Sequence, residues 1–131
     1  MKRIKSILFV LVMATSLIAC GQKTSTEQEQ QYDLGVRYLS EGNYEEAIIA
    51  FTAAIDIDPK NVDAYLGRAS AYISSGETEE NLASALADYQ SVLELDDARA
   101  DAYLGMADAY IRQGNYREAL DILQQGMLKA N

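Results

Sequence analysis

Residues 63–76 read DAYLGRASAYISSG and residues 101–114 read DAYLGMADAYIRQG, with ten of fourteen positions identical and a spacing of 38 residues. A chain of 131 residues that writes one segment nearly twice is assembled from units, and an internal period of about 20–50 residues marks stacked repeats. A third segment, residues 28–42 (QEQQYDLGVRYLSEG), ends the same way, with a Tyr followed four residues later by a Gly. The pairs are Tyr38/Gly42, Tyr72/Gly76 and Tyr110/Gly114. A second apolar stretch follows each Gly: YEEAIIAFTAAIDID, ENLASALADYQSVLELD and YREALDILQQGMLKA.

Both halves of each unit carry helical spacing. Tyr65, Ala69, Tyr72 and Ile73 fall on one helix face, and Leu82, Leu86, Tyr89 and Leu93 step by 4, 3 and 4. Gly42 and Gly114 suit the left-handed conformation that ends a helix. Asn43 and Asn115 are expected to cap the next helix, each with a Glu three residues on (Glu46, Glu118). Pro59 prevents continuation of the helix before it. Asn61, Thr78 and Asp97 are candidate caps for the helices that follow them.

On these residues the chain resembles the tetratricopeptide repeat, a 34-residue helix–turn–helix. Leu34, Gly35, Tyr38, Gly42, Tyr44, Ala47, Phe51, Ala54 and Pro59 carry the resemblance in a first unit, residues 28–61. The second unit, 62–99, carries Tyr65, Ala69, Tyr72, Gly76, Ala85, Tyr89 and Val92. The third, 100–131, carries Tyr103, Ala107, Tyr110, Gly114, Tyr116, Ala119, Leu123 and Gly126. The implied fold is all-α: a right-handed superhelical stack of three such units, six helices in total. Ala47, Ala85 and Ala119 stand where the second helix of a unit passes close to the first, and Tyr38, Tyr72 and Tyr110 fill the space between neighbours. The second unit is longer by four residues between Gly76 and Leu82, about one turn. Its second helix is therefore expected from Glu79 to Leu95, one turn beyond its neighbours and decorated by Glu77, Glu79 and Glu80. The third unit stops at Asn131, where the family usually adds a polar capping helix. Leu120, Met127 and Leu128 are thus a candidate exposed edge, which either pairs with another copy or a partner, or is simply tolerated.

The first nineteen residues, MKRIKSILFVLVMATSLIA, are a different material. Lys2, Arg3 and Lys5 precede an apolar run, Ile7–Ala19, that is shorter than the ~18–20 residues of a spanning helix. That is the layout of a secretory signal. Leu17-Ile18-Ala19-Cys20 then resembles the bacterial lipobox. The resemblance implies cleavage before Cys20 and a diacylglyceryl thioether on its sulfur. Each buried methylene contributes about 0.8 kcal/mol, so two or more acyl chains anchor durably. Residues 20–27 read as the lipidated Cys and a polar tether. The expected location is the extracytoplasmic face of a bacterial membrane, inner or outer, with the lipid as the one non-protein group and no other cofactor.

All 20 acidic residues follow Cys20 and three of the 11 basic ones precede it, so the part beyond Cys20 carries a net −12. Such a surface repels phosphate backbones, which excludes nucleic acid as a partner. With no His and one Cys, histidine acid–base catalysis, a Cys/His zinc site and an internal disulfide are excluded as well. The acidic pairs Asp56/Asp58 and Asp96/Asp97 lack calcium-loop spacing and read as helix ends. The expected activity is non-catalytic: a protein- or peptide-binding scaffold, or alternatively a structural subunit of an envelope or pilus-associated assembly held through the C-terminal edge. The family resemblance implies a groove lined by the first helix of each unit. Its candidate residues are Glu29, Tyr32, Val36 and Leu39; Asp63, Leu66, Ser70 and Ile73; and Asp101, Leu104, Asp108 and Ile111. The Lys and Asn clamps with which some relatives hold an acidic tail are missing there. An apolar floor with an acidic rim calls for an apolar or amphipathic segment bearing Lys or Arg.

Overall fold

The computed structural model describes residues 25–130. Among them the chain forms six helices and no strand: α1 over residues 25–41, α2 Tyr44–Ile57, α3 Val62–Ser75, α4 Glu79–Leu95, α5 Ala100–Arg112 and α6 Tyr116–Lys129. From α2 onward each helix packs on the next, and Tyr32, Tyr38 and Leu39 of α1 pack against the α2 cluster around Phe51, so the expected pairs α1/α2, α3/α4 and α5/α6 are present. The signal segment 1–19 and Cys20 lie outside the described residues. Residues 25–27, assigned from sequence to the tether, are helical and exposed, so α1 reaches further back than the unit boundary.

The links explain the turns between paired helices. Gly42 and Gly114 sit at φ 78° and 77°. Beyond each, an Asn amide reaches five residues back: Asn43 N–H donates to the Tyr38 carbonyl at 2.9 Å and Asn115 N–H to the Tyr110 carbonyl at 2.8 Å. This is a Schellman closure, which satisfies carbonyls that a helix end leaves open. It also corrects the expected capping. Asn43 and Asn115 stand at the N-cap, but their side chains make no cap bond. The tight link holds their ψ at 71° and 66°, and their side-chain amides donate instead to Glu41 and Gln113. Asn61 and Thr78 do cap, accepting from the Ala64 and Asn81 amides. Asp97 does not cap. Helix α5 starts only at Ala100 with Arg99 at its N-cap, and the Asp97 carboxylate instead pairs with Lys129 at 2.8 Å.

Helix α4 spans Glu79–Leu95, 17 residues against 14 in α2, as the insertion predicts. It begins three residues earlier relative to Ala85 than α2 does relative to Ala47, an extension of about 4.5 Å.

Packing centres on one large side chain per junction. Phe51 of α2 is fully buried in a first cluster with Ala47, Ala54, Ala64 and Ala71, against which Tyr32, Tyr38 and Leu39 pack. Tyr89 and Val92 of α4 hold a second cluster with Ala69, Ala85, Ala102 and Met106, joined by Tyr72 and Tyr110. The three repeat tyrosines thus line the interior as expected, half-buried, and Ala47, Ala85 and Ala119 are buried. The helices approach so closely that a Cβ on Gly67 would lie 2.5 Å from the Phe51 ring, and one on Gly105 only 2.3 Å from the Tyr89 ring.

Among these small residues sits one charged group that the sequence reading did not single out. Arg68 of α3 forks onto Asp88 of α4, Nε to Oδ2 at 2.9 Å and Nη2 to Oδ1 at 2.7 Å. Its remaining Nη1 donates to Thr52 Oγ1 of α2 at 3.0 Å. Asp88 is buried. Burial pushes its carboxyl above the ordinary range while the Arg68 guanidinium pulls it back. One guanidinium therefore ties three helices, with every buried polar side-chain atom among the described residues partnered.

Two stability predictions follow from this packing. Gly105→Ala forces Tyr89 aside and costs about 1–3 kcal/mol, read as a lowered urea midpoint. Asp88→Ala strands Arg68 and costs roughly 3 kcal/mol, the low end for a broken buried pair because Arg68 keeps some contact with water. Arg68→Met combined with Asp88→Leu recovers most of that loss, because apolar residues of similar volume need no partner.

Candidate peptide-binding groove

The candidate groove residues lie on α1, α3 and α5, the first helices of the three units, and burial divides them into two sets. Tyr32 and Leu39 of α1 are half-buried against the first core cluster, and Leu66 and Ile73 of α3 against the second. The Tyr32 ring lies 5.9 Å from that of Phe51, tilted by 56°. Burial first, then Asp63 and Asp33, push its hydroxyl above the ordinary tyrosine range. These four side chains pack against the core on one side and stay part-exposed on the other. The apolar side chains left open are Val36, Leu104 and Ile111, with Leu104 the most exposed at 62%. The accessible floor is thus weighted toward α5. Ser70 is exposed on α3 and hydrogen-bonds to Tyr89, whose hydroxyl is pushed up mainly by burial.

The rim differs from a plain acidic one. Arg99, at the start of α5, donates to both Asp101 oxygens at 3.1 and 2.7 Å and reaches Asp63 of α3 at 3.4 Å. Arg112, at the end of α5, donates to Asp108 at 2.7 Å and pairs with Glu77 in the link between α3 and α4. Each guanidinium is shared between two carboxylates, and Glu29 adds a further negative charge on α1, so the rim stays net acidic. Each exposed pair contributes little to stability, about 0–1 kcal/mol. What the pairs do is hold consecutive units in register along the groove. Arg99 was missed, because its Asp63 contact spans 36 residues and no local pattern marks it.

The four-residue insertion shapes one end of the groove. Glu77, Glu79, Leu82, Arg112, Gln113 and Asn115 line an open, polar cleft of about 350 Å³ there. At the C-terminal end the expected edge is exposed: Leu120 at 56%, Met127 at 71% and Leu128 at 83%. Among the described residues no three His, Cys, Asp or Glu side chains converge as metal ligands. The Asp58 and Asp96 carboxylates accept from the Lys60 and Ala98 amides as turn closures. No helix among the described residues is long and apolar enough to cross a membrane. The arrangement offers contact: apolar side chains framed by ion pairs, on rigid helices.

Comparison with known proteins agrees with this geometry. The family description "Tetratricopeptide repeat" matches residues 78–131 and "TPR repeat" matches residues 35–76. The human DnaJ homolog subfamily C member 3 is 33% identical over 63 residues, which is 48% of this chain and 12% of that protein. The chain thus spans a small fraction of that relative's length. Among solved structures, the first TPR of Spaghetti (RPAP3) bound to the HSP90 peptide SRMEEVD superposes with a TM-score of 0.71 at 26% identity, covering 79% of each chain. The TPR2B domain of yeast Sti1 in its pHsp70 complex gives 0.72 at 26%, covering 79% of this chain and 80% of that one. A crystal structure of MamA gives 0.74 at 25%, covering 79% and 55%.

Arg99 holds the Asp101 carboxyl below the ordinary range, chiefly by direct hydrogen bonding. Folded Asp101 therefore binds fewer protons than unfolded Asp101 as pH falls, and its contribution to stability is lost below about pH 4. In Arg99→Gln the Asp101 titration moves up toward its ordinary value and that acid-linked loss shrinks. Carboxyl-detected NMR titration of both chains reads the shift.

Proposed function

The chain is a tetratricopeptide-repeat protein, and from that premise we propose that it is a lipid-anchored binding scaffold of the bacterial envelope, without chemistry of its own. Its ligand is a protein segment laid along α1, α3 and α5. The observation that carries this reading is the set of open apolar side chains, Val36, Leu104 and Ile111, on helices whose other side packs into the stack. Exposed apolar groups on a rigid, ion-paired frame are a surface ready to exclude water against a partner. The solved relatives bound to an HSP90 peptide and in a pHsp70 complex support peptide capture as the mode of action.

The chemistry of the segment follows from the rim. Arg99 and Arg112 are each already shared between two carboxylates, and the chain carries a net −9. An acidic tail would meet unbalanced negative charge; a Lys- or Arg-bearing apolar segment would complement it. Anchoring rests on the basic start, the apolar run to Ala19 and the Leu17–Cys20 signature. Nothing in the folded part competes for that role, since its acidic surface is repelled by anionic headgroups.

A second reading, a subunit held in an envelope assembly through its C-terminal edge, is favoured by the exposure of Leu120, Met127 and Leu128.

Photo-crosslinking from position 111 in cells, with peptide sequencing of the product, is expected to identify a segment rich in apolar and basic residues. Asp63→Lys in the full chain weakens binding of that segment by about tenfold at low salt and flattens its salt dependence. A captured segment that is acidic, or one whose binding ignores both Asp63→Lys and Ile111→Asp, would falsify the groove. Separately, intact-mass analysis of membrane-extracted protein is expected to find acyl mass on Cys20, and Cys20→Ala releases the protein from the membrane fraction.

A further inference from the structure

We propose that the hollow between α5 and α6 at the C-terminal edge is a docking site for one amphipathic helix of another protein, a helix with a small-residue face of the form Ala-x-x-Gly-x-x-x-Ala. The proposal stands on the edge; of the side chains lining the hollow, only Leu104 also belongs to the groove.

The two internal junctions define what such an edge accepts. At the first, Phe51 of α2 is covered by α3 through Ala64, Gly67 and Ala71. At the second, Tyr89 of α4 is covered by α5, where Ala102, Gly105 and Ala109 repeat the same 3-then-4 spacing, the two alanines buried and Gly105 in contact with the Tyr89 ring. In both, a bulky side chain of the preceding unit sits against a glycine of the incoming helix. The third unit places Leu123 at the position of Phe51 and Tyr89. Among the described residues no helix covers it, and Leu123 is only half-buried, beside Tyr103, Leu104 and Met127. Together they open an almost wholly apolar hollow of about 330 Å³. This is the same interface, continued one unit further and open among the described residues.

The first helix of a second copy does not fit. In the register of Ala64, Gly67 and Ala71, α1 carries Gln30, Asp33 and Arg37, all exposed. Seating them on Leu123 would bury two charges in an apolar hollow. The N-terminal end of the stack is therefore polar, the C-terminal end apolar, and head-to-tail stacking of copies is disfavoured. Charge adds one more feature of the occupant. Arg99, three residues before Ala102, bridges from α5 to Asp63 at the start of α3. One unit on, Asp101 takes the place of Asp63, so a basic residue three positions before the first Ala completes the match.

A labelled peptide copying residues 98–114 of this chain provides the probe, titrated into the full chain by fluorescence anisotropy. It is expected to bind saturably. Gly105→Leu within the peptide weakens binding by at least about tenfold, from overpacking against Leu123. In the full chain, Leu123→Glu and, at a more exposed position, Met127→Glu each abolish binding, while Ile111→Asp in the groove leaves it unchanged; far-UV circular dichroism confirms that each variant is helical. Absence of saturable binding overturns the proposal, as does binding indifferent to both edge variants. Sedimentation equilibrium supplies the remaining arm: a stable dimer of the full chain that Leu123→Glu dissociates and the peptide cannot displace makes a second copy the occupant and overturns it too.

Discussion

The structure depends on one recurring contact: a large side chain of a second helix seated against a glycine of the first helix that follows it. Phe51 on Gly67 and Tyr89 on Gly105 bring helix backbones within a distance that no β-carbon allows. Around these contacts the neighbours are almost all alanine. Large ring and absent side chain are complementary halves of one interface, so changing either half opens a cavity or forces a clash. Because the contact is made between consecutive units, each unit is stable only with a neighbour. That is the general condition of a linear stack, and it is why an end of the stack is chemically different from its middle.

Polar groups have a separate task in this arrangement. Arg68, Asp88 and Thr52 form a satisfied network across α2, α3 and α4. A buried ion pair of this kind adds little net stability against an apolar substitute. It does penalise slippage, since any shift of α3 along its neighbours would leave a charge unpaired. Arg99 and Arg112 do the same at the surface, each joining α5 to the unit before it. Apolar contacts set how close the helices come; the arginines set where along each other they stop.

Function follows from rigidity. The first helices are pinned on one side by the core, so their other side presents fixed positions to a partner, and ordering cost on binding is small. The insertion before α4 alters this surface without touching the core, because the extra turn is added at the helix start, upstream of Leu82 and Ala85. Variation of that kind is how a shared scaffold acquires a surface of its own.

Much of this was legible in the residues. The period, the Tyr–Gly endings, the alanines at crossing points and the Thr78 cap of a lengthened helix are local patterns with local causes, and periodicity reports which face of a helix is apolar. The asparagine caps failed because a Schellman closure, a feature of three-dimensional path, had already turned the side chains away. The groove was legible only as a set of positions: Leu39, Leu66 and Ile73 are half-buried against the core while Val36, Leu104 and Ile111 stay open, since how deep an apolar side chain sits depends on its neighbour's size. By itself the sequence determined helical units, their number and their order, because backbone preference and apolar spacing act within a few residues. Tertiary structure alone decided that Arg99 reaches Asp63 and Arg112 reaches Glu77, that Arg68 reaches Asp88 and Thr52, and that Leu123 of α6 lines an open hollow with Tyr103 and Leu104 of α5, because those depend on groups 16 to 36 residues apart being brought together by packing.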